Sequence, residues 1–556
     1  MPQIPASADY IIVGGGVAGC TVASRLHQGN PDLSIILIEA GGDSLGHPLT
    51  TAPLACFAAH YSDIDYAYST VPQPHLNNRA CYAPGGKILS GGSATNYGAW
   101  TRGPSVDYEH WAHEVNDPSW SYEGFLPYFK KSETVVNCIE PPVSVEQHGF
   151  NGPIHIASIT DSDSKRKYLL REPIKEAWRE LGSSLHVDCN DGAPLGISER
   201  FENFRDGKRQ CASQAYSLSG VTVLCNTQVH RIIIEGSENK KASGVELIGG
   251  QTISASREII ISCGSYRTPQ MLMLSGIGNP TDLARHGIPL TVDAPEVGRN
   301  FHDHLTVCIW WKLEHPEQGL ALGSPLWKDP AYTKGLPGDW IVFQHVPNKL
   351  LEKALQTDGE QIERHNLLVS DKCHVETIVA YAPAGAALAG VQIPINGTYV
   401  TTAVLGMNPT SRGTVTISSN DPLASPVIDP NYYSTETDRV ALRFGIRQAI
   451  SLLQETNHGS AIGTTESPPD GYPALHPEST DAEIDARVAR VANTFYHPAG
   501  TASMGKVVDT QLRVYGVERL RVVDASVIPV PIAAHIQAIV YAIAEKAADL
   551  ILQSSK

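Results

Sequence analysis

Two groups of residues in this chain could do chemistry. The first is His497, set in ANTFYHPAGTASMG (residues 492–505) between an aromatic pair and a small-residue turn. An imidazole with an ordinary pKa near 6.5 can be a neutral base at physiological pH. Position alone favours a plainer alternative, a hydrogen-bonded histidine packed beside aromatics. The second group is Gly14, Gly16 and Gly19, spaced GxGxxG. The first glycine permits a tight turn, the second lets a pyrophosphate approach the backbone, and the third lets a helix and a strand pack closely.

Those glycines work only between a strand and a helix. YIIV, just before them, is a short β-branched run suited to a buried parallel strand. The helix that follows points its free N–H groups and positive dipole end at the phosphates. A second strand, SIILIE, ends at Glu39, where a carboxylate can accept hydrogen bonds from adenosine ribose hydroxyls. An acid there argues against a 2′-phosphate, hence against NADP, and does not separate NAD from FAD. Further on, GGKILSGGSATNYGAWTRG (residues 85–103) gathers small residues around Lys87, which lets backbone approach a flat or anionic ligand.

Composition narrows the field. The chain has 556 residues, 42% hydrophobic and 18% charged, with a formal net charge of −16. That balance disfavours nucleic acid and anionic membrane as partners, because both need clustered Lys and Arg. No apolar run reaches the ~18 residues needed to span a bilayer. The start, MPQIPASADYIIVGGG, has no basic residue and no signal-peptide pattern, so the expectation is a cytoplasmic protein, or a secreted one whose leader was removed. One glycosylation pattern, Asn396-Gly397-Thr398, is thin support for export. The ten cysteines form no CxxC and no metal-ligand spacing; they read as reduced core thiols, and no metal site is expected. Oligomeric state is not legible.

Six ordered segments carry a resemblance over nearly the full length. They are residues 14–39, residues 85–103, GSYRTPQMLMLSGIG (264–278), VGRNFHDH (297–304), SRGTVTISSNDPLASPVIDPNYYS (411–434) and the C-terminal run 512–551. Together they resemble the glucose–methanol–choline (GMC) family of FAD-dependent oxidoreductases. The resemblance implies an α/β fold: a discontinuous Rossmann-like FAD-binding domain, residues 1–155, 210–305 and 485–556, with an α+β substrate domain on an antiparallel sheet, residues 156–209 and 306–484. It implies that Lys87, Ser90, Gly91, Asn96, Tyr97, Gly98 and Ala99 hold the cofactor together with Gly14, Gly16, Gly19 and Glu39. Val229 matches a position that meets adenine through its backbone. Asp524, Ala525, His535 and Gln537 match cofactor contacts near the C-terminus. In the first signature Ser90 stands where glycine is common, which would place a hydroxyl near the flavin or pyrophosphate. Thr95 precedes Asn96, where some relatives carry a histidine bonded covalently to the flavin, so the FAD is expected to be non-covalent.

The same resemblance aligns HPAGT with the catalytic-histidine segment and VPIAAHIQAIVY with the second active-site position. It therefore implies that His497 takes the hydroxyl proton of an alcohol while a hydride passes to flavin N5, and that His535 holds the same oxygen, with the roles open to exchange. Tyr97, Trp100, Phe495 and Tyr496 suggest an aromatic substrate pocket and a primary aryl or furan-type alcohol, with O2 or another molecule as electron acceptor. Alternatives remain: a hydroxynitrile lyase with FAD in a non-redox role, a sugar dehydrogenase, a light-driven fatty-acid decarboxylase, or a redox-silent FAD scaffold. The histidine pair speaks against the last two. Residues 319–367, rich in Pro, Gly and charge, read either as an access loop or as surface.

Overall fold

The computed structural model describes residues 4–136 and 143–554. Strand β1 (Ser7–Val13) is buried from Tyr10 onward and leads through the glycines into helix α1 (Val17–Gly29) and strand β2 (Ile35–Ile38). β1 pairs in parallel with β2 and with Thr252–Ile261, which in turn pairs in parallel with Leu520–Val522. Thr222–Leu224 flanks β2 in parallel, and the antiparallel strands Lys241–Leu247 and Val229–Glu235 complete a seven-stranded sheet. Three stretches far apart in the chain thus build one nucleotide-binding sheet. Parallel strands covered on both faces require continuous apolar runs; YIIV, IILI and EIII supply them.

A second seven-stranded sheet is antiparallel. Its centre is β3 (Leu305–Leu313), β4 (Val375–Ala380) and β5 (Tyr399–Gly406), in the order β3-β5-β4. Thr464–Glu466 borders β3, while Trp340–Gln344 and Gly196–Glu199 continue beyond β4. β3, β4 and β5 are all largely buried on both faces, with helix Glu436–Gln454 packed on β4 and β5, and none of their residues walls the main cavity. Asn493–Thr494 also joins this sheet, pairing with β3. That short pairing lays the segment leading to His497 beside residues 303–306.

Two helices position the site. α2 (Ser105–Glu114) carries Asp107 into the interior. α3 (Gln537–Ser554) starts two residues after His535. The sequence predicts one apolar stripe on α3. In the fold every residue from Ala538 to Ala548 is buried, Glu545 and Lys546 included. Both charges are satisfied: Glu545 accepts from Arg25 at 2.7 Å and from the Tyr216 hydroxyl at 2.9 Å, and Lys546 donates to the Ser119 carbonyl and lies 3.9 Å over the Trp120 ring.

Residues 319–367 are neither an open loop nor a lid over the cavity. They fold into short 3-10 turns, the Trp340–Gln344 strand and the helix Asn348–Thr357, with Trp327, Tyr332 and Trp340 buried. Among the described residues the cysteines are free thiols, no cluster could hold a metal ion, and no helix is long and apolar enough to cross a membrane. Cys138 lies outside the described residues.

Candidate active site

An elongated cavity reaches from Gln228, Val229 and Leu274, past the glycine turn, to His497 and His535. The three glycines have distinct reasons to be glycine. Gly14 has φ +104°, and a Cβ there would sit 2.3 Å from the Ser262 carbonyl oxygen. A Cβ on Gly19 would sit 1.9 Å from the Gly14 carbonyl oxygen, so this glycine serves helix–strand packing and stays off the cavity wall. Gly16 faces open space. No side chain caps α1 at Gly16, which leaves the N–H groups of its first turn free for an anion.

Glu39 accepts from the Gly15 and Gly41 amides at 2.9 and 2.7 Å, and burial pushes its carboxyl up to about 7. Asp524 accepts from Gly264, Thr268 and Ser526, and burial raises it too. Both acids line the cavity, as do Gly91, Asn96, Gly98, Ala99, Ala525 and Gln537. Asn96 donates to Gln537 at 3.0 Å, and Gln537 donates to the Ala99 carbonyl at 2.6 Å. These contacts tie the small-residue segment to the start of α3.

Three expected contacts lie elsewhere. The Lys87 side chain is exposed, 5.9 Å from the Tyr66 ring centre, because only its backbone joins the turn. The Ser90 hydroxyl points away from the cavity into a cluster with Ser213 (2.7 Å) and Ser44 (3.4 Å). Ser90 has φ +84°, which shows why glycine suits that position. Trp100 belongs to the core: it is fully buried, donates to Glu133 at 2.9 Å and packs against Tyr541. Its indole N–H needs a partner inside, and Glu133 provides it.

At the far end of the cavity the His497 and His535 rings lie 5.0 Å apart, centre to centre, at 70°. Phe495 stands edge-on to both, at 5.5 and 5.4 Å. Tyr97 and Tyr496 are stacked at 5.6 Å, and Phe57 meets Tyr97 edge-on. His60 bridges the Tyr82 and Tyr97 hydroxyls at 3.0 and 2.7 Å.

His304 Nδ1 lies 2.8 Å from His497 Nδ1. Burial drives His304 down to about 3, so it is neutral. Of two neutral imidazoles in such a contact one donates and the other accepts, according to their tautomers. His497 Nε2 has no hydrogen-bond partner among the described residues, and it is a lone pair in the tautomer in which His497 donates from Nδ1. Burial, then the neighbouring His304 and His535, hold His497 well below the usual imidazole range. Its backbone N–H donates to Asp303 at 2.9 Å, and Asp303 is fixed by Thr494 and Tyr432. His535 Nε2 lies 2.8 Å from Glu376 Oε1, and its backbone N–H donates to Thr101 at 2.7 Å.

Comparison with known proteins decides the family. Residues 8–306 and residues 409–544 match the GMC oxidoreductase family. The chain belongs to the GMC oxidoreductases. It is 42% identical to the GMC-type oxidoreductase acuG of Aspergillus aculeatus over 545 residues, 98% of this chain and 99% of that one. Its fold superposes on a formate oxidase from Aspergillus oryzae RIB40 with a TM-score of 0.88 at 29% identity, covering 99% of each chain. It superposes on pyridoxine 4-oxidase from Mesorbium loti with a TM-score of 0.82 at 26% identity, covering 98% of this chain and 99% of that one.

This GMC oxidoreductase is an FAD-dependent enzyme acting on alcohol groups, and the cavity fits its cofactor. It is long, the Gly16 side is open, uncapped amides face it, and Glu39 closes β2 beside it. Sequence reasoning missed Glu376 and the function of His304. His304 stood in the quoted VGRNFHDH segment, and Glu376 in HVETIVAYAPAG, where one acid interrupts an apolar strand. That interruption was the available signal. What it met, 159 positions further along the chain, was not in the sequence.

Proposed function

We propose that the chain oxidises a primary aryl or furan-type alcohol to the aldehyde, with non-covalent FAD as hydride acceptor and O2 or another molecule as final acceptor. The observation that carries this reading is the pair of converging imidazoles. With its proton on Nδ1, toward His304, His497 has a lone pair at Nε2 to take the hydroxyl proton as the C–H bond breaks. His535 has a buried carboxylate, Glu376, on Nε2. That contact fixes the ring of His535 beside the same substrate oxygen, where alkoxide character develops. FAD, when bound, supplies the acceptor for the hydride. The uncapped α1 amides and Gly16 would hold its pyrophosphate, Glu39 its ribose, and Asn96, Ala525 and Gln537 its ring system. Thr95 lines the cavity and has no nitrogen with which to form a covalent link.

The wall of Tyr97, Phe495 and Tyr496 supports a flat, aromatic substrate. The test is anaerobic mixing of the holoenzyme with benzyl, furfuryl and sugar alcohols while the flavin absorbance is followed, then admission of air. Bleaching by aryl alcohols carries the reading; bleaching by sugars alone, or by none, ends it. Replacement of His497 with alanine is expected to retain FAD and slow flavin reduction by ~100-fold or more. Acid precipitation should release all FAD into the supernatant.

A further inference from the structure

Arg209 is a buried cation without a buried anion. It is 5% exposed, and only Nη1 is satisfied, donating to Asn96 Oδ1 at 2.8 Å and to the Ser93 carbonyl at 3.3 Å. Nε and Nη2 have no partner among the described residues. Its neighbours include the Phe204 ring, 5.7 Å away, and the neutral groups Cys56, Cys211 and Tyr97, and among the described residues no carboxylate forms an ion pair with it. The other buried arginines of this region contrast with it: Arg102 has Glu133, and Arg166 has Glu202. An unpaired guanidinium in an apolar interior is costly unless some other negative charge compensates it.

The bonds that Arg209 does make point toward the cavity. It donates to Asn96, whose amide donates to Gln537 at 3.0 Å, and Asn203 donates to the same Gln537 oxygen at 3.1 Å. Asn96 and Gln537 both line the cavity, and Gln537 is the first residue of α3. The chain of donors runs one way, from Arg209 through Asn96 to the Gln537 amide on the cavity wall, which gives one N–H to the Ala99 carbonyl. The same wall receives the positive end of the α3 dipole. Hydride transfer, with the alcohol proton left on the protein, adds one negative charge to the flavin.

We propose that Arg209 is a positioning residue for the cofactor's charge: acting through Asn96 and Gln537, it stabilises the reduced, anionic flavin and raises the two-electron potential. This rests on FAD occupying the cavity, not on which alcohol is oxidised. It also explains why the fold retains an unpaired cation: its counter-charge arrives in each turnover.

The test uses the holoenzymes of the parent and of Arg209→Met, Arg209→Gln and Arg209→Lys. FAD content is read from absorbance, and the midpoint potential from reductive titration against a reference dye, with no alcohol present. The neutral variants should favour reduction about tenfold less or more, a fall of at least ~30 mV for a two-electron couple. Lysine should restore most of that difference. Arg209→Gln keeps a donor for Asn96 and covers the case in which methionine disrupts the segment. A neutral variant that binds FAD stoichiometrically at the parental potential overturns the proposal. So does a lysine variant that falls as far as methionine, because charge would then not be the cause. If no alcohol bleaches the flavin, the substrate reading fails while this measurement stands.

Discussion

At the scale of single residues, the site depends on where protons sit. His304 is neutral and its Nδ1 faces His497, and in the proposed mechanism the base is His497 Nε2, the nitrogen without a hydrogen-bond partner among the described residues. Burial keeps His497 neutral below the ordinary imidazole range. Flavin reduction by alcohol should therefore show its acid limb below pH 6.5, since the base must first be protonated to fail. Single-turnover rates from pH 5 to 8 check this; a limb centred above 6.5 would assign the limiting group elsewhere. His304→Ala removes the partner of His497 Nδ1, and the limb is expected to move. Ser90 offers a second test. Its φ of +84° costs about 1–2 kcal/mol in a non-glycine residue, while its hydroxyl accepts from the Ser213 amide at 3.0 Å. Ser90→Gly exchanges one for the other and should leave the unfolding midpoint nearly unchanged. Ser90→Ala keeps the strained backbone and loses the hydroxyl, and should cost about 1–3 kcal/mol in chemical denaturation.

At the scale of elements, the question is what brings His535 to Glu376. These residues lie on different sheets' worth of chain, and a buried aspartate on α2 joins their supports. Asp107 accepts from Lys372 at 2.6 Å through one oxygen and from the Ala533 amide at 2.7 Å through the other. Lys372 lies four residues before Glu376, and Ala533 two before His535. Asp107 and Lys372 are both fully buried, so the pair is dry and breaking it strands a charge. Asp107→Ala is expected to lower stability by about 3–5 kcal/mol and to slow flavin reduction even where FAD remains bound. Asp107→Asn, which still accepts from Ala533, should slow it less. Equal rates for parent and alanine variant would show that α2 has no part in aligning the pair. α3 is anchored independently at its middle by Arg25 and Glu545, so its first turn should survive these changes.

At the scale of the whole molecule, the cofactor cavity is lined by residues from five parts of the chain, near positions 13–40, 59–99, 227–274 and 495–540 and at Pro422. Filling it should stabilise them together. Added to apoprotein at a hundredfold excess over its Kd, FAD is expected to raise unfolding free energy by about 2.7 kcal/mol, seen by calorimetry as a shift of the whole transition. A shift confined to part of the transition would mean that the two sheets unfold separately. Acid should act globally too. Burial holds His302 and His497 well below their ordinary range and His304 and His374 down to about 3, so all four are neutral in the fold. The unfolded chain protonates them below about pH 6.5. It then binds more protons than the native state, and stability falls as pH falls from that value. Glu39, at about 7, Asp339, at about 6, and Asp303 and Asp524 act in the opposite sense, since burial raises them above their unfolded values. His60, His75, His110, His155 and His365 are also held low, and these nine histidines outnumber the four acids and the one raised histidine, His148, so urea midpoints should decline from pH 6.5 to 5.

What the sequence by itself determined is what spacing along a chain can encode. The glycines at 14, 16 and 19, the apolar strands beside them and the acid ending β2 specify a dinucleotide turn through backbone geometry local to about thirty residues. The prolines and small residues around His497 and His535 mark segments that resemble known catalytic ones. Only the tertiary structure decided which side chains meet. Trp100, read as pocket wall, turns inward because Glu133 awaits its N–H. Ser90 turns from the cavity because Ser213 and Ser44 receive its hydroxyl. The Glu376–His535 contact, the His304–His497 bond and the uncompensated charge of Arg209 join residues from about a hundred to nearly two hundred positions apart. Such contacts depend on how two sheets are set against each other, and no local periodicity records that.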